Sequence, residues 1–181
     1  MMGKKVLAIV LAGVLLMALI AGCGGGGSST PQNGGEEAKQ EQKQEPIFLN
    51  IATGGTAGTY FPLGGAVSEI WNKNVPGVNS TAQSTGASVA NINLLRENKA
   101  DVIFVQNDIV YYAANGVELF EEKYEDIRGL AILYPETIQL VTLANKGINS
   151  ISDLKGKRVA VGAAGSGAEA NARQILHAAG I

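Results

Sequence analysis

The chain has one cysteine, one histidine and one tryptophan among its 181 residues. Each scarcity removes a class of chemistry. A lone cysteine, Cys23, cannot close an intramolecular disulfide, so no disulfide framework holds the fold. A lone histidine, His177, leaves a catalytic triad or a histidine-based metal site short of parts. An excess of basic charge is missing too, since 14 Lys+Arg stand against 16 Asp+Glu for a formal net charge of −2. With no basic stripe to neutralise phosphates, nucleic acid is not a partner. Two nucleotide signatures are also absent. No glycine-lysine pair is followed by Ser or Thr as a P-loop requires, and the glycines at 54–58 do not follow G-x-G-x-x-G.

What the chain has is a charged start, a long apolar run and many glycines. Lys4 and Lys5 precede the nearly unbroken apolar stretch Val6–Ile20, then Ala21, Gly22 and Cys23. This reads as a secretory signal with a small-residue cleavage site, and the run is short for a membrane span of about 20 residues. Ile20-Ala21-Gly22-Cys23 resembles a bacterial lipobox, which implies cleavage before Cys23 and a lipid on its thiol. Two acyl chains anchor stably where one does not. The expected locale is therefore extracytoplasmic, lipid-anchored to a bacterial membrane. Cleavage removes Lys4 and Lys5 and takes the net charge from −2 to −4. Residues 23–46 are rich in Gly and Ser, then in charge and Gln, with Ala38 the only aliphatic side chain. Such a segment cannot bury enough surface to fold and is expected to be a disordered tether spanning roughly 25 Å.

From Ile47 onward the pattern alternates strand and helix. Ile47–Thr53 fits a buried parallel strand. Tyr60–Asn72 carries Phe61, Val67, Ile70 and Trp71 at helical spacing, with Pro62 in the first turn. Pro76-Gly77 is a turn and Val78–Gln83 a weaker strand. A second helix follows, with Ser88 as N-cap and Val89, Ile92 and Leu95 on one face. Asp101–Gln106 reads as a strong buried strand. Asn107 and Asp108 cap a short helix that holds Tyr111 and Tyr112 and ends at Gly116. Strands are expected over Ile127–Tyr134, Thr137–Ala144 and Lys157–Val161, and a helical turn over Ser150–Lys155. The last helix spans Ala168–Ala179, with Gly180 as its C′ residue. This alternation means an α/β architecture with a mostly parallel sheet.

Three small polar loops, 53–59, 84–88 and 162–167, each follow a strand and precede a helix. That is where ligands bind in open α/β sheets. Helix N-termini offer unpartnered N–H groups and a positive dipole end, which suit an anion. Catalytic groups do not accompany them. His177 sits on the late helix as a surface residue, Asp101 and Asp108 are explained as caps, and Trp71 as core. A non-enzymatic binding protein is expected, without metal or cofactor.

The segments TGGTAGTYFPLGGAVSEIWN, STGASVANINLLRENKADVIFVQNDIVYYAANG, LAILYPETIQLV and INSISDLKGKRVAVGAAGSGAEANARQILHAAGI resemble the TAXI family of TRAP-transporter solute receptors. The resemblance implies a type II periplasmic-binding-protein fold, with two α/β lobes closing on a ligand. A first lobe over 47–134 would be nearly complete, and 135–181 would hold the hinge and a partial second lobe. It further implies capture of a small organic anion, a glutamate-like amino acid or dicarboxylate, for delivery to TRAP membrane permease subunits. An ABC-importer receptor and a ligand sensor for a membrane kinase share the fold and are its rivals.

On that resemblance the ligand would meet Gly55, Thr56, Thr59 and Tyr60 from the first loop, and Ser84, Thr85, Gly86 and Ser88 from the second. Gln106 would offer an amide, Tyr134 would lie at the hinge, and Ser166 and Gly167 would come from the opposing lobe. Arg158 and Arg173 are possible ion-pair partners for the ligand, with an exposed role the alternative. Two departures stand out. Ala164 replaces a usual proline, and the chain ends at Ile181 where family members run to nearly twice the mature length, so it reads as a partial sequence.

Overall fold

A computed structural model describes residues 45–181. The expected signal segment 1–22, Cys23 and all but the end of the expected tether 23–46 lie outside the described residues. Three strands, β1 (Ile47–Ala52), β2 (Val78–Gln83) and β3 (Val102–Ile103), form a parallel sheet in the order β2-β1-β3. Four helices accompany them: α1 (Tyr60–Asn74), α2 (Ser88–Arg96), α3 (Asn107–Asn115) and α4 (Gly167–Ala178). Two short 3-10 turns cover Ala144–Lys146 and Ile151–Leu154. The mixed α/β character and the parallel sheet agree with the sequence and with a periplasmic-binding-like fold.

β1 pairs along its whole length with β2, from Ile47 opposite Val78 to Ala52 opposite Gln83. It is not buried throughout, however. Ile51 and Ala52 are fully buried, while Ile47 and Phe48 are exposed. The expected strand Asp101–Gln106 is also shorter, because only Val102 and Ile103 pair with β1. Beyond Ala52 the first strand turns away into its loop, so β3 loses its neighbour after Phe104 N donates to Ala52 O at 2.9 Å.

α1 meets the sheet through small residues rather than its large apolar ones. Gly64 and Ser68 are its buried positions, while Ile70 is exposed and Trp71 half-buried. Ser68 Oγ donates to Ser80 O at 2.6 Å. The Asn72 carboxamide donates to Ser80 O at 2.9 Å and accepts from Ser80 N at 2.6 Å. Asn72 thus stands in for a neighbouring strand on the open edge of β2, where unpaired backbone groups would otherwise face outward. Replacing it with alanine orphans the N–H of Ser80, which is 2% exposed. The expected loss of unfolding free energy is about 1–3 kcal/mol by urea denaturation; an unchanged midpoint would refute this role.

α2 and α3 supply the core. Ile92, Ile109, Ala113, Phe120 and Ala170 form one buried cluster, flanked by Val89, Val105 and Tyr112. Gly116 ends α3 at φ 64°, as expected. Ser88 does not cap α2. Ala87 occupies the N-cap position, and the Ser88 hydroxyl instead accepts from Gln106 N at 3.2 Å.

The strands expected over Ile127–Tyr134, Thr137–Ala144 and Lys157–Val161 are not formed. Among the described residues no strand lies beside them to complete a backbone ladder, and much of the 130–143 stretch stays in solvent, with Ile132 99% exposed and Val141 81%, while Ile127 packs on the core cluster and Val159 and Val161 are half-buried. The helical turn at 151–154 does form. Asn149 N, Ser150 N and Ser150 Oγ all donate to Asp153 Oδ2 at 2.9–3.0 Å, which holds that carboxyl below its ordinary range. No helix among the described residues is long and apolar enough to cross a membrane.

Candidate functional site

β1 leaves the sheet at Ala52, and its direction continues into Thr53. Thr53 N and Oγ1 both donate to Gln83 O, at 3.1 and 2.6 Å. The chain then turns, with Gly58 N donating to Gly55 O at 2.8 Å, and enters α1 at Tyr60. Beside this loop lies a cavity of about 780 Å³. Of the twelve residues expected at a ligand site, Gly55, Thr59, Tyr60, Ser88, Gln106, Tyr134, Ser166 and Gly167 line it.

Thr56, Ser84, Thr85 and Gly86 do not line it. The last three border a separate depression of about 480 Å³ with Asn93 and Leu94. Their hydroxyls are used inside the protein: Ser84 Oγ donates to Gly54 O at 2.9 Å, and Thr85 Oγ1 lies 2.9 Å from Thr53 O and 2.6 Å from Asn91 Oδ1. These bonds fasten the second loop to the first.

The three helix N-termini differ in what they can offer. At α2, Val89 N and Ala90 N donate to Gly165 O at 3.0 and 3.1 Å, so the third loop plugs the second. At α4, Ser166 Oγ accepts from Glu169 N, and Glu169 Oε2 accepts from Gly165 N at 2.9 Å. Arg173 is paired with the other Glu169 oxygen at 2.7 Å, which holds that carboxyl below its ordinary range and keeps the arginine out of the cavity. Only α1 is open. Thr59 makes no side-chain cap and its first turn carries no acidic residue. With Pro62 lacking an N–H and Leu63 N bonded to Thr59 O, the first-turn donors left at this end are those of Tyr60, on the cavity lining, and Phe61.

The remaining expected residues are built into the wall. Gln106 Nε2 donates to Asn171 Oδ1 at 3.1 Å, and Asn171 Nδ2 donates to Asp108 Oδ2 at 2.6 Å. This chain ties α4 to the start of α3. A β-carbon on Gly167 would overlap the Gln106 carboxamide and displace it from its bond to Asn171. Ala87, also on the lining, holds φ 74°, a conformation that strains a non-glycine residue by about 1–3 kcal/mol.

Sequence reasoning missed Glu136, Asn91 and Asn171. Glu136 projects between two phenols: Tyr60 Oη donates to its Oε2 at 2.8 Å and Tyr134 Oη to its Oε1 at 3.0 Å. Asn91 and Asn171 each interrupt the apolar face of a helix, and that interruption was the available signal. Both are buried. Among the described residues no group of three or more His, Cys, Asp or Glu could hold a metal ion.

Burial first, then the Glu136 carboxylate, raises both tyrosines, with Tyr134 pushed up to about 12 and Tyr60 further. Both therefore hold their protons more tightly folded than unfolded. Their stabilisation is complete below about pH 10, the ordinary tyrosine value, and is lost as pH climbs, for Tyr134 through about 12. Two of the five tyrosines are expected to resist ionisation in an ultraviolet titration, and the urea midpoint to fall over that range. Complete ionisation of the folded protein near pH 10 would show that the phenol–carboxylate contacts do not hold.

A family model described as the NMT1-like family matches residues 51–181. The match runs from the last residues of β1 through α4 and takes in the whole cavity. The chain belongs to the NMT1-like family. This is a periplasmic solute-binding family related to the receptors of ABC and TRAP transporters, extracytoplasmic and of a generally non-enzymatic type. As an NMT1-like protein the chain has a solute-binding role, with a small molecule and a membrane transporter as the partners that role implies.

Proposed function

We propose that this NMT1-like protein is the TAXI-type receptor of a TRAP transporter, and that it captures a small carboxylate in the cavity beside α1. The observation that carries the reading is the open N-terminus of α1, uncapped and without an acidic residue, on a cavity bordered by Thr59 and Tyr60. A carboxylate placed there accepts from first-turn N–H groups and gains from the helix dipole, about 0.3–1 kcal/mol at an exposed end and up to ~2 when partly buried. No basic side chain is needed for that. The lipobox at Cys23 supports a tethered receptor that hands its ligand to permease subunits. On this reading the chain divides into two lobes near Tyr134-Pro135, and Tyr134 closes over the ligand.

A thermal-shift screen of amino acids and dicarboxylates on the full chain tests this. A ligand at 100 times its Kd adds about 2.7 kcal/mol of stability. Among the predicted ligand residues, Thr59→Val is expected to weaken binding while the melting midpoint of the free protein stays near the parent's. If sugars raise the midpoint and every carboxylate leaves it unchanged, the reading fails.

A further inference from the structure

Of the side chains lining the cavity, Glu136 is the only one that carries a formal charge. None of the ten lysines and arginines among residues 45–181 lines it. Arg96 pairs with Glu122, Lys99 with Glu97 and Arg173 with Glu169, all elsewhere on the surface. The two phenols on Glu136 come from distant parts of the chain, the start of α1 and residue 134, and each takes a different carboxylate oxygen. They fix the carboxylate in place and leave each oxygen a further acceptor position. Phenols are neutral donors, however, so no protein cation on the lining offsets the charge of Glu136, which is an exposed residue.

Resting on the reading of the cavity as a solute site, we propose that Glu136, oriented by Tyr60 and Tyr134, is the docking group for a protonated nitrogen on the ligand. The ligand class is then an α-amino acid or similar amino-carboxylate, glutamate included, and not a dicarboxylate that lacks an ammonium. The carboxylate of such a molecule lies at the open end of α1 and its ammonium against Glu136. Three N–H donors fit a carboxylate with free acceptor positions, and the ammonium offsets the Glu136 charge. A dicarboxylate offers the same carboxylate to α1 but brings its second negative charge toward Glu136 with no lysine or arginine to offset it. The carbonyl and amide walls at Gln106 and Asn171 are neutral and favour neither.

The test is calorimetric titration of the full chain with L-glutamate, 2-oxoglutarate, glutarate and n-butylamine. L-Glutamate is expected to bind about tenfold or more tighter than 2-oxoglutarate, which has the same carboxylates and no ammonium. Glu136→Gln is expected to weaken glutamate by about tenfold or more and leave 2-oxoglutarate no weaker. Tyr134→Phe, which removes one orienting donor, weakens glutamate by less than Glu136→Gln does. Equal affinity for glutamate and 2-oxoglutarate, or unchanged glutamate affinity in Glu136→Gln, overturns the proposal and leaves the carboxylate reading standing. Butylamine binding that depends on Glu136, with no carboxylate bound, does the reverse. Silence from all four probes overturns both.

Discussion

Asn91→Ala is expected to cost about 1–3 kcal/mol of unfolding free energy. Asn91 is fully buried on α2. Its Nδ2 donates to Thr53 O at 2.6 Å and to Phe104 O at 2.8 Å, with Ala52 O at 3.3 Å. Its Oδ1 lies 2.6 Å from Thr85 Oγ1. One carboxamide therefore joins the ends of β1 and β3 to the second loop, at the place where both strands have run out of ladder partners. Alanine leaves Phe104 O buried without a partner, at about 1–3 kcal/mol, while Thr53 O keeps the Thr85 hydroxyl and Ala52 O keeps Phe104 N. Asn93 lies on the same helix but is exposed, so Asn93→Ala should stay within about 0.5 kcal/mol. Urea denaturation of the two variants separates burial from helix propensity, and a loss below about 1 kcal/mol in Asn91→Ala would sink the account.

Two adjacent glycines should respond in opposite directions. Gly64 and Gly65 both stand in the interior of α1, where alanine is normally favoured by about 0.8–1 kcal/mol. A β-carbon at Gly65 meets nothing within 4 Å, so Gly65→Ala is expected to realise most of that gain. A β-carbon at Gly64 overlaps the Thr53 methyl and sits 3.5 Å from the Phe104 ring. Forcing α1 off the sheet costs about 1–3 kcal/mol, and that outweighs the propensity gain. Gly64→Ala should be less stable than the parent by up to about 2 kcal/mol once the two are set against each other, and less stable than Gly65→Ala by about 1–3 kcal/mol. Thr53 carries the first loop, so ligand affinity should fall in Gly64→Ala and hold in Gly65→Ala. Equal stability of the two variants would show that α1 does not rest on Thr53.

The sequence determined the elements by local rules. Hydrophobic period, turn residues and caps placed β1, β2 and all four helices within a few residues, and they put Gly116 and Gly180 at the helix ends. These depend on neighbours a few positions away, which a linear reading sees. The same reading set three loops at one edge and gave each the chemistry of an anion site.

Only the tertiary structure decided which of them is open. Gly165 O takes the donors of α2, Glu169 and Ser166 take those of α4, and α1 alone keeps its own. At α4 the partners are three and four residues apart, but at α2 the outcome turns on a contact between residues some 75 positions apart, to which composition and spacing are blind. Glu136 escaped notice for the same reason. Its partner Tyr60 lies 76 residues away, so nothing near it in the chain marks it as part of a site. The strands expected over 127–144 and 157–161 show the converse. Their composition favours strands, but a strand is completed by a neighbour, and backbone groups without one do not form a ladder whatever the side chains prefer.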